Sequence, residues 1–182
     1  MTTAPALDTF HGTALGAPRD LRERALRAAR DERQHAHAMT DLARERGAVV
    51  PRVRAARRRA RSLFDVALEN ATEGCVRESY GALFAVWQAE HAFDPRVRVE
   101  MQNIARDEAE HAELASDVHE WARKRLAPHE RASLDRAMDD AWLDLEREVE
   151  LSRPSAPLTR ELGVPPTNVA VVLVKNLRAA LA

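Results

Sequence analysis

An eight-residue stretch occurs twice in this chain, and it constrains the fold more than any other feature. Residues 29–36 read ARDERQHA and residues 105–112 read ARDEAEHA, so six of the eight positions are identical at an offset of 76 residues. A single Glu-x-x-His pair would mean little, because a chain of this composition contains one by chance about 0.6 times. Two copies in the same frame indicate one structural unit that is used twice.

Each copy lies on the apolar seam of a predicted helix. Alternating steps of four and three residues connect apolar side chains to the Glu and the His, which is the spacing of a helix face that packs against its neighbours. The two seams are Leu21, Ala25, Ala28, Glu32, His35, Met39 and Leu42, and Val97, Met101, Ile104, Glu108, His111, Ala115, Val118 and Ala122. A buried charge without a partner is costly, and one metal site would satisfy both carboxylates and both imidazoles.

Composition predicts one helical domain with a substantial core, since the chain has 182 residues of which 45% are hydrophobic. The net charge of -1 gives no general attraction to nucleic acid or membrane. A single cysteine, Cys75, excludes an intrachain disulfide framework and fits a reducing compartment. Neither a signal peptide nor an apolar run of membrane-spanning length is recognisable. We therefore expect a cytoplasmic protein without a membrane segment.

Helix-forming residues dominate and no alternating strand pattern of useful length occurs, so the predicted class is all-α. Proline and glycine positions divide the chain, with 154–166 as an irregular connector. The predicted helices cover about 6–15, 18–46, 56–92, 95–126, 128–151 and 168–181.

The predicted helix over 56–92 carries three glutamates on a largely apolar surface, namely Glu69, Glu73 and Glu78. A glutamate inside a buried helix requires a partner. One interpretation pairs these carboxylates with nearby arginines such as Arg61 and Arg77. The other turns at least one of them toward the two histidine-bearing helices.

These residues resemble the ferritin-like dinuclear-carboxylate proteins, in which two Glu-x-x-His helices are each paired with a helix that supplies a further Glu. The stretches ENATEGCVRE (69–78) and IARDEAEHA (104–112) look like bacterial ferritin-like domain proteins, and the resemblance covers about 4–125. It implies an antiparallel four-helix bundle over 1–126, with extra C-terminal helices over 127–182 packing on it.

The resemblance also implies a ligand set. Four residues match the repeated motif, namely Glu32, His35, Glu108 and His111. From the central helix, Glu73 is the first choice because its 35-residue separation from Glu108 is close to the family's usual spacing. Glu78 is the second choice, because the apolar seam runs beside it.

An aspartate precedes the ligand Glu in each copy of the motif. In the family, such an aspartate accepts a hydrogen bond from the distal nitrogen of the opposite helix's His and fixes its orientation. Asp31 and Asp107 would have this role here. The alternative is that both face solvent beside an arginine.

The sequence departs from the family at its first helix. Subtracting the repeat offset from Glu73 gives position -3, upstream of Met1, and Asp8 is the only acidic residue in 1–19. We therefore expect a shortened first helix and an incompletely covered metal end. Either the C-terminal helix or a second subunit would cover this end, and a homodimer is favoured.

A carboxylate-rich site with two imidazoles suits iron, or manganese, better than structural zinc. The resemblance implies two iron ions and a diiron oxidase or hydroxylase that uses dioxygen or peroxide on an unknown substrate. One alternative is a non-catalytic bundle with a vestigial or incomplete site. Another is a tRNA-modifying hydroxylase, although nucleic-acid binding is disfavoured because arginine is the usual cation throughout this chain. The basic run that suggests it comprises Arg52, Arg54, Arg57, Arg58, Arg59 and Arg61.

Overall fold

The structure is a computed structural model that describes residues 15–51 and 61–181. Within these ranges the chain is helical without any strand, which confirms the all-α prediction. The six helices are α1 (Arg19–Glu45), α2 (Leu63–Glu69, continuing through Asn70–Glu78 and Ser79–His91), α3 (Pro95–Arg123), α4 (Pro128–Leu151), α5 (Ala156–Leu162) and α6 (Thr167–Leu181). The predicted short first helix and Asp8 lie outside the described residues. None of the described helices is long and apolar enough to cross a lipid bilayer.

Local sequence explains most of the helix boundaries. Asp94 accepts a hydrogen bond from the backbone N–H of Arg96 at 2.8 Å, with Pro95 in the first turn of α3. Gly47 has φ +78°, and α1 ends just before it. The predicted start of α2 at residue 56 lies outside the described residues; within them, Ser62 and Asp65 form a capping box and the helix begins at Leu63.

Helix α2 is not a uniform α-helix. Its middle segment, Asn70–Glu78, is π-helical, and the flanking residues keep right-handed helical dihedrals, so the chain continues through it without a break. The sequence predicts a regular α-helix over this segment. The connector after α4 also differs from the prediction, because it contains the short helix α5.

Helices α1 and α2 both run antiparallel to α3. A tight turn joins α2 to α3, and the Arg96 guanidinium near the start of α3 binds the Glu45 carboxylate at the end of α1 at 2.7 Å. At the other end of the α1–α3 pair of helices, Arg24 of α1 forms an ion pair with Asp117 of α3. Within the described residues α1 packs mainly against α3, so the two copies of the repeated motif face each other on antiparallel helices.

Two apolar clusters lie at opposite ends of these three helices, with the motif residues between them. One joins α1, α2, α3 and α4 and includes Leu21, Val66, Leu114 and Leu134. The other joins α2 to the first half of α3, around Ala89 and Met101.

A third cluster holds the C-terminal helices against the π-helical segment of α2. Val76 packs there with Trp142 and Leu145 of α4 and with Val174 of α6. The main contacts of α6 are therefore with α4 and α2. Cover of the metal end by α6 or by a second subunit stays a prediction.

Candidate metal centre

The antiparallel pairing of α1 and α3 produces a reciprocal set of contacts. Nε2 of His35 lies 3.0 Å from Oδ2 of Asp107, and Nε2 of His111 lies 3.4 Å from Oδ2 of Asp31. Each aspartate therefore contacts the histidine of the opposite helix, as the resemblance implies. A carboxylate at Nε2 favours the tautomer that is protonated there, which leaves Nδ1 of each ring with a free lone pair.

Both Nδ1 atoms point toward the two motif glutamates. Nδ1 of His111 lies 3.3 Å from Oε1 of Glu32 and 3.6 Å from Oε2 of Glu108. Nδ1 of His35 lies 3.4 Å from Oε1 of Glu108 and 3.9 Å from Oε1 of Glu32. The imidazole centroids are 6.0 Å apart. Each carboxylate therefore faces both imidazoles, with approximate twofold symmetry between the helices.

The cluster is buried in the described structure. The four motif residues are between 2% and 8% exposed. Glu32, His35 and Glu108 each offer one ligating atom, and these atoms all lie within 4.8 Å of one another. Within residues 15–51 and 61–181, no other group of three or more histidine, cysteine or acidic residues shows comparable convergence.

Several buried polar atoms in this region have no hydrogen-bond partner within the described residues. They are Oε2 of Glu32, Nδ1 of His35, Nδ1 of His111 and Oε2 of Glu78. Orphaned buried polar atoms are rare and each costs free energy, so four in one region require an explanation. All four belong to atom types that bind metal ions.

The carboxylates determine the protonation of the cluster when no cation is bound. Burial alone would lower the pKa of His111, but the carboxylates of Glu108 and Glu32 raise it to about 10. Burial likewise opposes protonation of His35, and the Glu108, Asp107 and Glu32 carboxylates raise its pKa to about 9. The pKa of Glu108 is about 2, because the two histidines outweigh the effect of burial. Protonated imidazoles thus balance the carboxylates in the metal-free protein.

Of the two candidate glutamates of α2, Glu78 has a buried carboxylate oxygen without a hydrogen-bond partner, and its charge interacts with those of Glu108, Glu32 and His111. The pKa of Glu78 is raised to about 7, mainly by burial and also by the nearby carboxylates of Glu108 and Glu32. Glu73, the first choice from spacing, has a side chain that is 37% exposed and lies 3.8 Å from Arg77. The π-helical turns change the phase between the two glutamates, which a spacing rule for α-helices does not consider.

The remaining glutamate of α2 has a different neighbour. Glu69 forms an ion pair with Arg61, which is the arginine interpretation of the sequence. Sequence reasoning overlooked the role of Asn70, which is 5% exposed and contacts α3 within the same π-helical segment. The available signal was a polar residue on an otherwise apolar face, four residues before Gly74.

The donor set fits a metal ion in kind and in position. Glu32, His35 and Glu108 offer ligating atoms within 4.8 Å of one another, and Nδ1 of His111 contacts the same two carboxylates. Imidazole and carboxylate donors of this kind bind divalent metal ions. The outer contacts from Asp31 and Asp107 match the usual support of ligating histidines. No protein-family model matches the chain, and searches of curated proteins and of solved structures give no significant match.

Proposed function

We propose that this protein binds iron, with manganese as the alternative, through Glu32, His35, Glu108, His111 and Glu78. We further propose that it is a diiron oxidase or hydroxylase of the ferritin-like type. The observation that carries the proposal is the convergence of Glu32, His35 and Glu108, whose ligating atoms lie within 4.8 Å of one another beside buried atoms that lack a hydrogen-bond partner. Bound cations would satisfy these atoms and replace the protons that the histidines hold.

The surrounding residues would prepare the site for oxidation chemistry. Asp31 and Asp107 hold each Nε2 proton and aim Nδ1 inward. Glu32 and Glu108 each face both histidines, so both carboxylates would help to hold the metal ions. A bound iron pair would supply the electrons that reduce dioxygen or peroxide, and the low exposure of the cluster would exclude bulk water from that reaction.

Metal content tests the proposal directly. Wild-type protein loaded anaerobically with ferrous iron and then desalted should retain up to about two ions per chain, as expected for a dinuclear site. Glu108→Ala should lose most of this iron and any oxygen consumption by the loaded protein. Glu110→Ala is the matched control, because Glu110 lies on the same helix but is exposed. Wild-type protein that retains no iron would refute the proposal.

A vestigial site is the second candidate, and the charge balance of the metal-free cluster favours it. The carboxylates and histidines already compensate each other, with the pKa of His111 at about 10 and that of Glu108 at about 2. A bundle without metal would therefore tolerate these residues. In that case the metal-free protein should lose stability on Glu108→Ala, by less than the roughly 3–5 kcal/mol of a fully unpaired buried charge, because Glu32 still contacts both imidazolium groups. Added iron would change the stability of neither the wild-type protein nor Glu108→Ala.

The tRNA-hydroxylase alternative gains no support from the described residues. Its basic run falls almost entirely on residues 52–59, which lie outside them. The last arginine of the run, Arg61, is paired with Glu69. The iron proposal therefore specifies no nucleic-acid substrate.

A further inference from the structure

Three residues of the π-helical segment of α2 approach one residue of α3, Ala115. Nδ2 of Asn70 donates a hydrogen bond to the carbonyl oxygen of Ala115 at 2.9 Å. Sγ of Cys75 lies 3.5 Å from the same oxygen. A Cβ atom added to Gly74 would lie 2.8 Å from Cβ of Ala115, which is closer than real Cβ contacts. The helices can approach this closely only because position 74 has no side chain.

The segment's backbone geometry affects both candidate glutamates. In a regular α-helix, residues 73 and 78 would point about 140° apart, so only one could face α1 and α3. In a π-helix the hydrogen bonds run from residue i to residue i+5, which brings the directions of residues five apart closer together. Glu73 nevertheless lies beside Arg77, with 37% of its side chain exposed. The carboxylate of Glu78 has a buried, unpartnered oxygen in this arrangement, so its direction depends on the local helix type.

We infer that Asn70 and Gly74 are positioning residues that hold the π-helical segment against Ala115 and thereby direct Glu78 toward the cluster. A buried amide costs free energy that an apolar side chain of the same size would not, and a glycine weakens a helix. Both features act on the same contact, that of the π-helical segment with Ala115. A positioning role explains why they occur together in the segment that carries Glu78. The consequence for metal binding depends on the proposed function, whereas the contact itself does not.

Cys75 provides a test without metal, because it is the chain's only cysteine and lies inside the segment. Its reaction rate with a small aromatic disulfide reports how tightly the segment is held. We expect Asn70→Ala and Gly74→Ala each to raise this rate at least about tenfold, because labelling requires local opening. Thr72→Ala is the control, since the hydroxyl of Thr72 bonds only to carbonyls of its own helix, Leu68 and Glu69.

A compensating change separates the proposed contact from general destabilisation. Gly74→Ala introduces a methyl group against Cβ of Ala115, and Ala115→Gly removes the atom that it would strike. The double variant should therefore label more slowly than Gly74→Ala alone, even though glycine within α3 costs about 1 kcal/mol of helix stability. Additive effects of the two changes would overturn the steric part of the inference. This pair also decides the matter if Asn70→Ala does not fold.

Metal affinity tests the positioning role itself. In the wild-type background, Glu78→Gln should weaken iron binding about 10–100-fold, while Glu73→Gln should change it little. In the Asn70→Ala background, the loss caused by Glu78→Gln should shrink to less than about threefold, because the carboxylate no longer faces the site. A merely structural role of Asn70 would leave the ratio between the two glutamate variants unchanged.

The two proposals fail in distinguishable ways. If wild-type protein binds no iron, the proposed function falls, and the thiol rates with the double variant decide the inference. If wild-type protein binds iron but Asn70→Ala and Gly74→Ala keep both the wild-type thiol rate and the full dependence on Glu78, the inference falls alone.

Discussion

Replacing Asp107 by asparagine tests how far the outer aspartates control the metal affinity of the opposite histidines. The change preserves shape and leaves an oxygen that can still accept from Nε2 of His35, but it removes the negative charge 3.0 Å away. Outer partners of ligating histidines typically contribute 10–100-fold in metal affinity, and the short contact to a buried ring favours the middle of that range. We expect a loss of about 30-fold, or about 2 kcal/mol.

The reciprocal variant gives an internal scale. Asp31→Asn should weaken binding by about tenfold, because its contact with His111 is longer, at 3.4 Å, while the two aspartate side chains are similarly exposed at 33% and 36%. Asp117→Asn is the matched control. It also removes a carboxylate that links α3 to α1, but its partner is Arg24, so only a surface ion pair worth at most about 1 kcal/mol of folding stability is lost.

Ferrous iron titrated anaerobically against a chromogenic chelator would give the dissociation constants of all four proteins. The reasoning is refuted if Asp107→Asn binds within twofold of wild type, or if Asp117→Asn loses as much affinity as Asp107→Asn. The first result would mean that charge at Nε2 has no influence on the ligand nitrogen. The second would mean that the variants act by separating the helices.

Two further predictions concern the metal-free protein. The pKa values of His35 and His111 are raised to about 9 and about 10, so their stabilising contribution is complete below pH 6.5 and is lost as the pH rises through those values. The pKa of Glu78 is raised from 4.5 to about 7, so its contribution to stability also falls as the pH rises between those values. The unfolding free energy from urea titrations should therefore fall from pH 5 to pH 10. A flat or rising profile would contradict the assignment. Gly163→Ala should cost about 3 kcal/mol, because φ is +66° and a Cβ would lie 2.5 Å from the backbone nitrogen of Ala92. Gly47→Ala, with φ +78° and no neighbour within 4 Å, should cost about 1 kcal/mol in the same urea titrations, and equal losses for the two variants would show that the contact with Ala92 is unimportant.

The sequence predicted the motif residues because two independent signals agreed there. Repetition identified Glu32, His35, Glu108 and His111 as a set, and the apolar seam placed them on the inner faces of their helices. Both signals depend only on the regular α-helical period, and α1 and α3 are α-helical along their whole length. Proline and capping residues likewise indicated where α3 and α4 begin.

The choice between Glu73 and Glu78 could not be made from the same period. Nine residues of π-helix change the direction of every side chain after Asn70, and the contact with Ala115 that accompanies this change is 45 residues away in sequence. Neither Gly74 nor Asn70 indicates a π-helix by itself. The helix type of this segment is determined only when α2 and α3 have packed. The local sequence therefore leaves both glutamates as candidates.

The exchange of partners between α1 and α3 has a consequence for how the protein would acquire metal. Neither helix forms half a site alone, because each imidazole takes its orientation from an aspartate about 72 to 80 residues away in the chain. We therefore expect the ligands to come together only when the intervening chain has folded and α1 has docked on α3. Since α1 packs mainly on α3, separating the two helices would remove the aspartate contacts of both histidines at once. A bound cation would hold α1 against α3. At a free concentration a hundred times its dissociation constant, it would stabilise the docked state by about 2.7 kcal/mol.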